Sequence, residues 1–591
     1  MLGTMRHHES YASGMWANES LGVYVGWTVR KGSFSDGMPL FNEQRDQVLV
    51  FSGEEYPRPD TGQTLKHQGH SFDPDGPSYL IHLAEEQADF PNSLNGHFHG
   101  IHLDLIRREA RLFNDRFGMH RLYYSETPEA FYFGAEAKAL LEVLPDSRSC
   151  DTKGLGEFIS CGCVLENRTL FKGVYALPPA SSWKFRDGKL ERRDAYFNPT
   201  EWEQQERLDS EGFYNELRRV FSENLPRYFG GREQVAVSLT GGLDTRMIMA
   251  WWKAEPHSLP SYTFGGSYRD CQDVKIARKV AQICGQQHEV IPVGESFLHQ
   301  FPKYAERSVY LSDGCTMVNR GADLYANEIA ATIAPVRMTG NYGSEVLRRV
   351  PAFKPARLND ALFQPELMES AAEASKTYRG QIEGHAVTFV AFRQAPWYQH
   401  GLLSLEETQV AMRSPFLDND LVRVAYRAPD SSIAKSDIFE DNEACSRLIA
   451  DGNPELHRLR TDRGLAGDDG GWTSALTRAA LEFTFRAEYA YDYGMPAWLS
   501  RTDHMLKPLH LERLFLGRHK FCHFRVWYRD SLAEYVREML LDSRTLARPF
   551  LKRDQVESIV THHLRGDRNY TTEITRLLTL ELLHRLFLDA R

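Results

Sequence analysis

Ser238-Leu-Thr-Gly-Gly-Leu-Asp-Thr-Arg246 is the stretch on which the reading of this chain turns. Just before it, Gln234-Val-Ala-Val-Ser-Leu239 is a short apolar run bounded by turn formers, the pattern of a strand buried in a parallel sheet. Just after it, Met247 to Lys253 is helix-like. Gly241 and Gly242 therefore open a helix directly off a buried strand. Glycines at such a place let the backbone approach a ligand and adopt positive φ. The free N–H groups of the helix start converge on one spot, and the helix dipole adds partial positive charge, which suits a phosphate chain. Thr240 and Thr245 add hydroxyl donors, and Ser238, Leu239 and Leu243 complete the candidate binding segment. Asp244 is an odd neighbour for an anion unless a cation lies between them, and Mg²⁺ bridging Asp244 to the phosphates resolves this. The bland alternative is a tight strand-to-helix turn. A lone Gly-Gly fits it, but the buried strand, the hydroxyls on each side and the acid favour a nucleotide. The loop is not a Walker A, because no G-x-x-x-x-G-K-S/T occurs.

Outward from this loop the texture is regular. Phe213, Leu217, Val220 and Phe221 have helical spacing within Gly212 to Asn224. A strand over Ser261 to Phe264, a helix over Val274 to Cys284 and a strand over His288 to Val293 follow. Alternating strands and helices predict a doubly wound parallel sheet. The remainder is mainly helical, and Ile574, Leu577, Leu578, Leu582, Leu583 and Leu586 mark a packed final helix. The first ~200 residues instead read as β-rich. Gly22 to Val29, Gln47 to Phe51, His97 to Leu105, Ala110 to Asn114 and Ala130 to Phe133 are short strand-like segments. A polar stretch from Asn198 to Ser210 reads as the linker, dividing the 591 residues into domains of 1–200 and 201–591.

Composition bounds the rest. Apolar residues make up 42% and charged residues 25%, ordinary for a soluble globular protein. A formal net charge of -10 argues against a nucleic-acid partner. No run of about 18 apolar residues predicts a membrane span, and Met1 to Ser10 lacks the apolar stretch of a signal peptide. Cys161 and Cys163 form a lone C-x-C with no second pair at zinc-ligand spacing, so the eight cysteines are expected as reduced thiols of a cytoplasmic protein.

Thr240-Gly-Gly-Leu-Asp-Thr245 resembles the S-G-G-L-D-S pyrophosphate loop of N-type ATP pyrophosphatases, with threonine for serine at both ends. The first half narrows the resemblance to the asparagine synthetase family, whose members include beta-lactam synthetases and lasso-peptide cyclases. Phe51-Ser-Gly-Glu-Glu-Tyr56 resembles F-N-G-E-I-Y, Leu94-Asn-Gly-His-Phe98 resembles L-D-G-x-F, and Asn114-Asp-Arg-Phe-Gly118 resembles R-D-R-x-G. Phe133-Gly-Ala-Glu-Ala-Lys138 resembles F-A-S-E-x-K, and Arg413-Ser-Pro-Phe-Leu-Asp418 resembles R-x-P-F-L-D. The motifs occur in family order over most of the chain. The resemblance implies an Ntn-hydrolase-like αββα sandwich followed by an ATP pyrophosphatase domain with a helical C-terminal part. It implies ATP and Mg²⁺ as cofactors, and an AMP-activated carboxylate that ammonia or an amine converts to an amide. It also implies that Thr263 and Phe264 lie where the backbone recognises adenine, although a plain buried strand predicts the same residues.

Three departures qualify the resemblance. The family's glutaminase uses a cysteine directly after the initiator methionine; Leu2 stands there in this sequence, and an aliphatic side chain is no nucleophile. As written, the chain is expected not to hydrolyse glutamine. Thr339-Gly-Asn-Tyr-Gly-Ser-Glu345 aligns with S-G-E-G-A/S-D-E, a loop that helps hold Mg-pyrophosphate and substrate. By that alignment Gly340, Tyr342 and Gly343 contact pyrophosphate, Asn341 and Ser344 contact substrate, and Glu345 is catalytic and binds metal beside Asp244. Asn341 replaces a glutamate and Ser344 a metal-binding aspartate, which puts aspartate as acceptor in doubt. In Arg460-Thr-Asp-Arg-Gly-Leu465, Arg463 stands for a lysine that stabilises the pentavalent phosphorus, or is a solvated surface charge.

Asp418 is either a substrate contact or a helix cap. Asp270 and Asp273 are ligand contacts or dipole partners of the helix they precede. His562 and His563 have no carboxylate or cysteine partner at metal-ligand spacing and read as exposed helix residues. The expected activity is a carbon–nitrogen ligase without glutaminase activity, acting on a small-molecule or peptide carboxylate, with a homodimer as one option for its assembly. A lactam- or lasso-peptide-forming cyclase and a non-catalytic nucleotide-binding scaffold are the alternatives.

Overall fold

The structure is a computed structural model, and it describes residues 1–429, 443–462, 472–494, 512 and 515–589. In the first domain, Tyr11–Asn18 and Val23–Arg30 form an antiparallel hairpin. A six-stranded antiparallel sheet runs in the order Lys189–Ala195, Ser181–Arg186, Glu109–Asn114, Gly96–Asp104, Gln47–Glu55, Leu40–Phe41. A three-stranded sheet pairs Phe131–Gly134, Tyr123–Glu126 and Tyr175–Ala176.

The period-2 alternation of strand Gln47–Glu55 explains the layering. Val48 and Val50 point into a core shared with Val25, Tyr124 and Trp183, between the large sheet and the smaller ones. Leu49 and Phe51 point the other way, into a core with Leu80, Ile81 and Leu83 of helix Tyr79–Glu86. Helices Ala137–Leu141 and Thr152–Cys161 cover the far side, packed with Tyr123 and Phe171. The order of layers is thus helix, sheet, sheet, helix, as expected.

The second domain is built on a five-stranded parallel sheet in the order His288–Val293, Ser261–Gly266, Val235–Ser238, Val336–Met338, Ala411–Arg413. Val235 and Val237 feed one core, with helices Ser210–Asn224, Asp244–Trp251 and Gln272–Ile283. Ala236 feeds the opposite core, with helices Phe301–Leu311 and Gly321–Ala330. The chain starts at the central strand, steps outward to Ser261–Gly266 and His288–Val293, then returns to Val336–Met338 on the other side. That reversal opens a crevice at the carboxyl ends of Val235–Ser238 and Val336–Met338, where open α/β sheets bind ligands. Mainly helical chain follows, ending in helix Thr571–Leu583.

Within the linker stretch Asn198 to Ser210, Thr200–Glu203 is helical, and Trp202 packs on Phe197 with ring centroids 4.5 Å apart, so one aromatic pins a polar stretch. One expectation is corrected: His562 is only partly exposed and His563 is not exposed. His563 is buried and accepts the Tyr570 N–H at 3.0 Å, and His562 meets Asp567 at 2.9 Å. Gly566, with φ 83, turns the chain back after the helix and brings those partners round.

Candidate active site

Two loops meet in the crevice. The first, Leu239–Leu243, leaves strand Val235–Ser238 and enters helix Asp244–Trp251. The second leaves strand Val336–Met338 at Thr339 and enters helix Gly343–Arg348. They touch through glycine. A Cβ on Gly343 would lie 2.7 Å from Asp244 Cγ, and one on Gly340 would lie 2.8 Å from Asp244 Cβ and from the Thr245 N atom. No side chain fits at either position without displacing Asp244.

Asp244 is the centre of the arrangement. Its Oδ2 accepts from Ser344 Oγ at 2.7 Å, and the Arg348 guanidinium stands 3.6 Å away. Arg348 also donates to Ser344 Oγ. Asp244 Oδ1 is buried and has no hydrogen-bond partner among the described residues. Burial pushes the Asp244 carboxyl above the usual range, opposed by Arg348 and Ser344. Glu345 lies on the same helix, held by Gln399 Nε2 at 2.8 Å. Burial, with Asp244 adding repulsion, pushes its carboxyl up to about 7. A buried acid with an orphaned oxygen, a second buried acid nearby and a close glycine wall fit a divalent cation. Asp244 and Glu345 are the residues that would hold it.

Around the first loop, Thr240 and Thr245 approach one another, Oγ1 to Oγ1 at 3.4 Å. Thr263 Oγ1 donates to Leu239 O at 2.9 Å, tying the adjacent strand to the loop. Phe264 lies under the Arg337 guanidinium, 5.0 Å from the ring centre. In the second loop Tyr342 is buried and holds φ 71, a strained conformation for a non-glycine residue, with its ring 6.4 Å from that of His97. Ser414 Oγ donates to Asn341 O at 2.6 Å. Arg463 lies outside the described residues.

The structure adds Arg246 and Arg348 to the site and brings Asp273, weighed above as ligand contact or dipole partner, to the first loop. Asp273, in the first turn of helix Gln272–Ile283, accepts the Gly241 N–H at 2.7 Å; burial and nearby Asp462 push its carboxyl up to about 6. Asp270 instead pairs with Arg278. Arg246 is almost fully buried and donates to the carbonyls of Gly241 at 3.3 Å, Leu459 at 2.6 Å and Arg460 at 3.3 Å. Arg348 follows Ser344 by four residues, a spacing that puts both on one helix face and was legible in the sequence.

Asp418 lies apart from this cluster. It caps helix Asn419–Ala425 through the N–H groups of Asp420 and Leu421, and accepts from Asn224 at 2.7 Å, Asn95 at 2.9 Å and Tyr228 at 3.0 Å. Nearby, Arg413 forms a two-pronged ion pair with Glu54, both contacts at 2.8 Å, and donates to Tyr228 O and Gly230 O. Lys138 reaches Asp313 at 3.2 Å. The motifs of the first half thus meet those of the second at the joint between the domains. Beside that joint lies a cavity of about 200 Å³, lined in part by Glu54, His97, His99, His120, His400 and Glu407. Burial lowers the pKa of His97, His99 and His400, so these imidazoles stay neutral.

Comparison with known proteins agrees with the geometry. The glutamine amidotransferase domain family matches residues 1–197, and the asparagine synthase family matches residues 216–438. The glutamine-hydrolyzing asparagine synthetase 1 of Bacillus subtilis (strain 168) is 25% identical over 297 residues, 47% of this chain and 45% of that protein. The glutamine-hydrolyzing asparagine synthetase 2 of the same organism is 24% identical over 258 residues, 40% of this chain and 34% of that protein. The matched stretches therefore span less than half the length of these curated relatives. With an amidotransferase domain leading directly into a synthase domain, the chain belongs to the asparagine synthetase family.

Proposed function

We propose that this protein is an ATP-dependent amide-forming ligase that adenylates a carboxylate. The observation that carries the reading is the pairing of the two loops: Asp244, with one orphaned oxygen, pressed against Gly343 at the switch point of a parallel sheet. In this reading the N–H groups at the start of helix Asp244–Trp251 and the hydroxyls of Thr240 and Thr245 receive the phosphates, the Gly241 N–H stays with Asp273, and Gly340, Tyr342 and Gly343 wall the pyrophosphate. Ser238, Leu239, Gly242 and Leu243 shape the groove, and Thr263 and Phe264 border the nucleotide. Bound Mg²⁺ supplies positive charge to the departing pyrophosphate. Asp244 and Glu345 hold it, and Arg348 adds a fixed cation beside them.

A substrate carboxylate oxygen attacks the α-phosphorus, and the bond to pyrophosphate breaks. The nitrogen of ammonia or an amine then attacks the acyl carbon, AMP leaves with the bonding pair, and the nitrogen gives up a proton. Asn341 and Ser344, at the mouth of the second loop, face the acceptor. The neutral imidazole of His97, beside Tyr342, suits an uncharged nitrogen donor, since it presents no competing cation. We place the reaction in the cytoplasm, with all eight cysteines free. We do not assign glutamine hydrolysis to the first domain. No cysteine lines the cavities of about 770, 550 and 200 Å³ that its residues wall, and burial pushes the thiols of Cys150 and Cys161 up to about 12 and about 11 and that of Cys163 well above its usual value, the reverse of an activated nucleophile.

One observation favours a second reading. Arg348 already neutralises Asp244 and occupies Ser344, so a scaffold that binds nucleotide without turning it over is consistent with the same contacts. Pyrophosphate release decides between them. Purified protein with ATP, Mg²⁺, ammonium and a panel of carboxylates is expected to release pyrophosphate only when a cognate acid is present, and Asp244→Ala is expected to be silent. ATP binding without release for every acid, including amino-dicarboxylates and peptide acids, rejects the ligase.

A further inference from the structure

Far from the crevice, helix Tyr79–Glu86 carries His82 and Glu85 three residues apart, so both project from one helix face. The preceding loop lays His70 over them. The rings of His70 and His82 stack with centroids 4.3 Å apart and 28° between planes. One ligand atom from each of His70, His82 and Glu85 lies within 4.8 Å of the other two, and no other group of His, Cys, Asp and Glu among the described residues gathers in this way. His82 is 4% exposed. Its Nδ1 is buried without a hydrogen bond among the described residues, at 3.7 Å from Glu85 Oε2. A buried nitrogen left unpaired is costly, and such groups in folded proteins ordinarily have a partner.

The surroundings are arranged as they are around bound metals. Glu86 Oε1 lies 3.0 Å from His70 Nε2, and Asn42 donates to Glu85 Oε1 at 3.0 Å. Carboxylates behind imidazoles and amides behind carboxylates are the partners that orient metal ligands. We propose that His70, His82 and Glu85 bind a zinc ion. Two imidazoles and a carboxylate suit borderline-soft Zn²⁺ and not Mg²⁺ or Ca²⁺, which prefer all-oxygen shells. Three protein ligands leave one tetrahedral position for water. The ion clips the His70 loop to a helix whose Leu80, Ile81 and Leu83 pack beneath the six-stranded sheet. It is independent of the amide-forming chemistry.

The test uses the full chain, stripped with a chelator and titrated with zinc chloride against a chromophoric zinc indicator. One tight equivalent is expected, with no response to magnesium or calcium chloride. His70→Gln and Glu85→Gln are each expected to weaken that equivalent at least tenfold. Both positions are partly exposed, so each variant is expected to match the zinc-free melting temperature of the parent. Zinc should raise the melting temperature of the parent and not of the variants. An unchanged affinity and an unchanged zinc-induced melting shift in both variants would overturn the proposal, as would the absence of any tight equivalent in the parent.

Discussion

The joint between the domains and the crevice between the loops are both dense in buried charge, and they differ in how completely that charge is answered. At the joint, Glu54 faces Arg413 with both oxygens engaged, and its carboxyl stays below the usual range because Arg413 outweighs its burial. Asp418 has five donors. In the crevice, Asp244 keeps a buried oxygen with no partner among the described residues, and Glu345 and Asp273 are pushed up to about 7 and about 6. A satisfied cluster holds a structure together, whereas an unsatisfied one is completed by something that arrives.

The contrast can be broken by substitution. The largest effect is expected at Asp244: Asp244→Ala should lower pyrophosphate release about a thousandfold, some 4 kcal/mol of barrier, with no loss of melting temperature. A drop in stability that matches the loss of activity would place Asp244 with the joint. Next, Arg413→Ala leaves Glu54 buried and unpaired, which costs about 3–5 kcal/mol. Thermal unfolding should show it as a clear fall in midpoint, and a midpoint within a degree of the parent would show the joint to be solvated.

Arg348→Ala should reduce kcat about a hundredfold if its charge serves the departing pyrophosphate. A variant with intact kcat and tighter Mg²⁺ binding would make Arg348 only a counter-ion to the metal-free acids. The smallest effect is in pH. Metal binding needs Asp244 and Glu345 ionised, and burial raises both carboxyls, that of Glu345 to about 7, so its protonated form persists to near neutrality. Half-maximal Mg²⁺ should therefore rise as pH falls from 8 to 6, and Glu345→Gln should flatten that dependence near pH 7. An Mg²⁺ requirement that ignores pH over this range would remove Glu345 from the metal site.

Most of the crevice was legible before the fold was known, because its backbone is specified locally. A buried run, two glycines and a helix start dictate the first loop, and the observed helix begins at Asp244 itself. The central strand and its two outer neighbours were readable for the same reason. What local pattern does not carry is what a distant segment supplies. The Gly241 N–H was expected to face phosphate and is held by Asp273, thirty-two positions away. Asp418, weighed as substrate contact or cap, is a cap with partners from both domains. His70, His82 and Glu85 are brought together by a loop whose path no periodicity reveals. The family motifs were visible as text, but Glu54 meeting Arg413 is a fact of tertiary packing alone.

That meeting has a consequence for how such a protein can change over generations. If the first domain ceases to perform a reaction of its own, it still cannot be discarded. Deleting it would strand Arg413 without its carboxylate and strip Asp418 of Asn95. Arg413 also accepts the Thr339 N–H on its carbonyl at 3.0 Å, at the root of the second loop. A lineage free to lose one chemistry would be obliged to keep the body that once housed it, as a fitted part of the other.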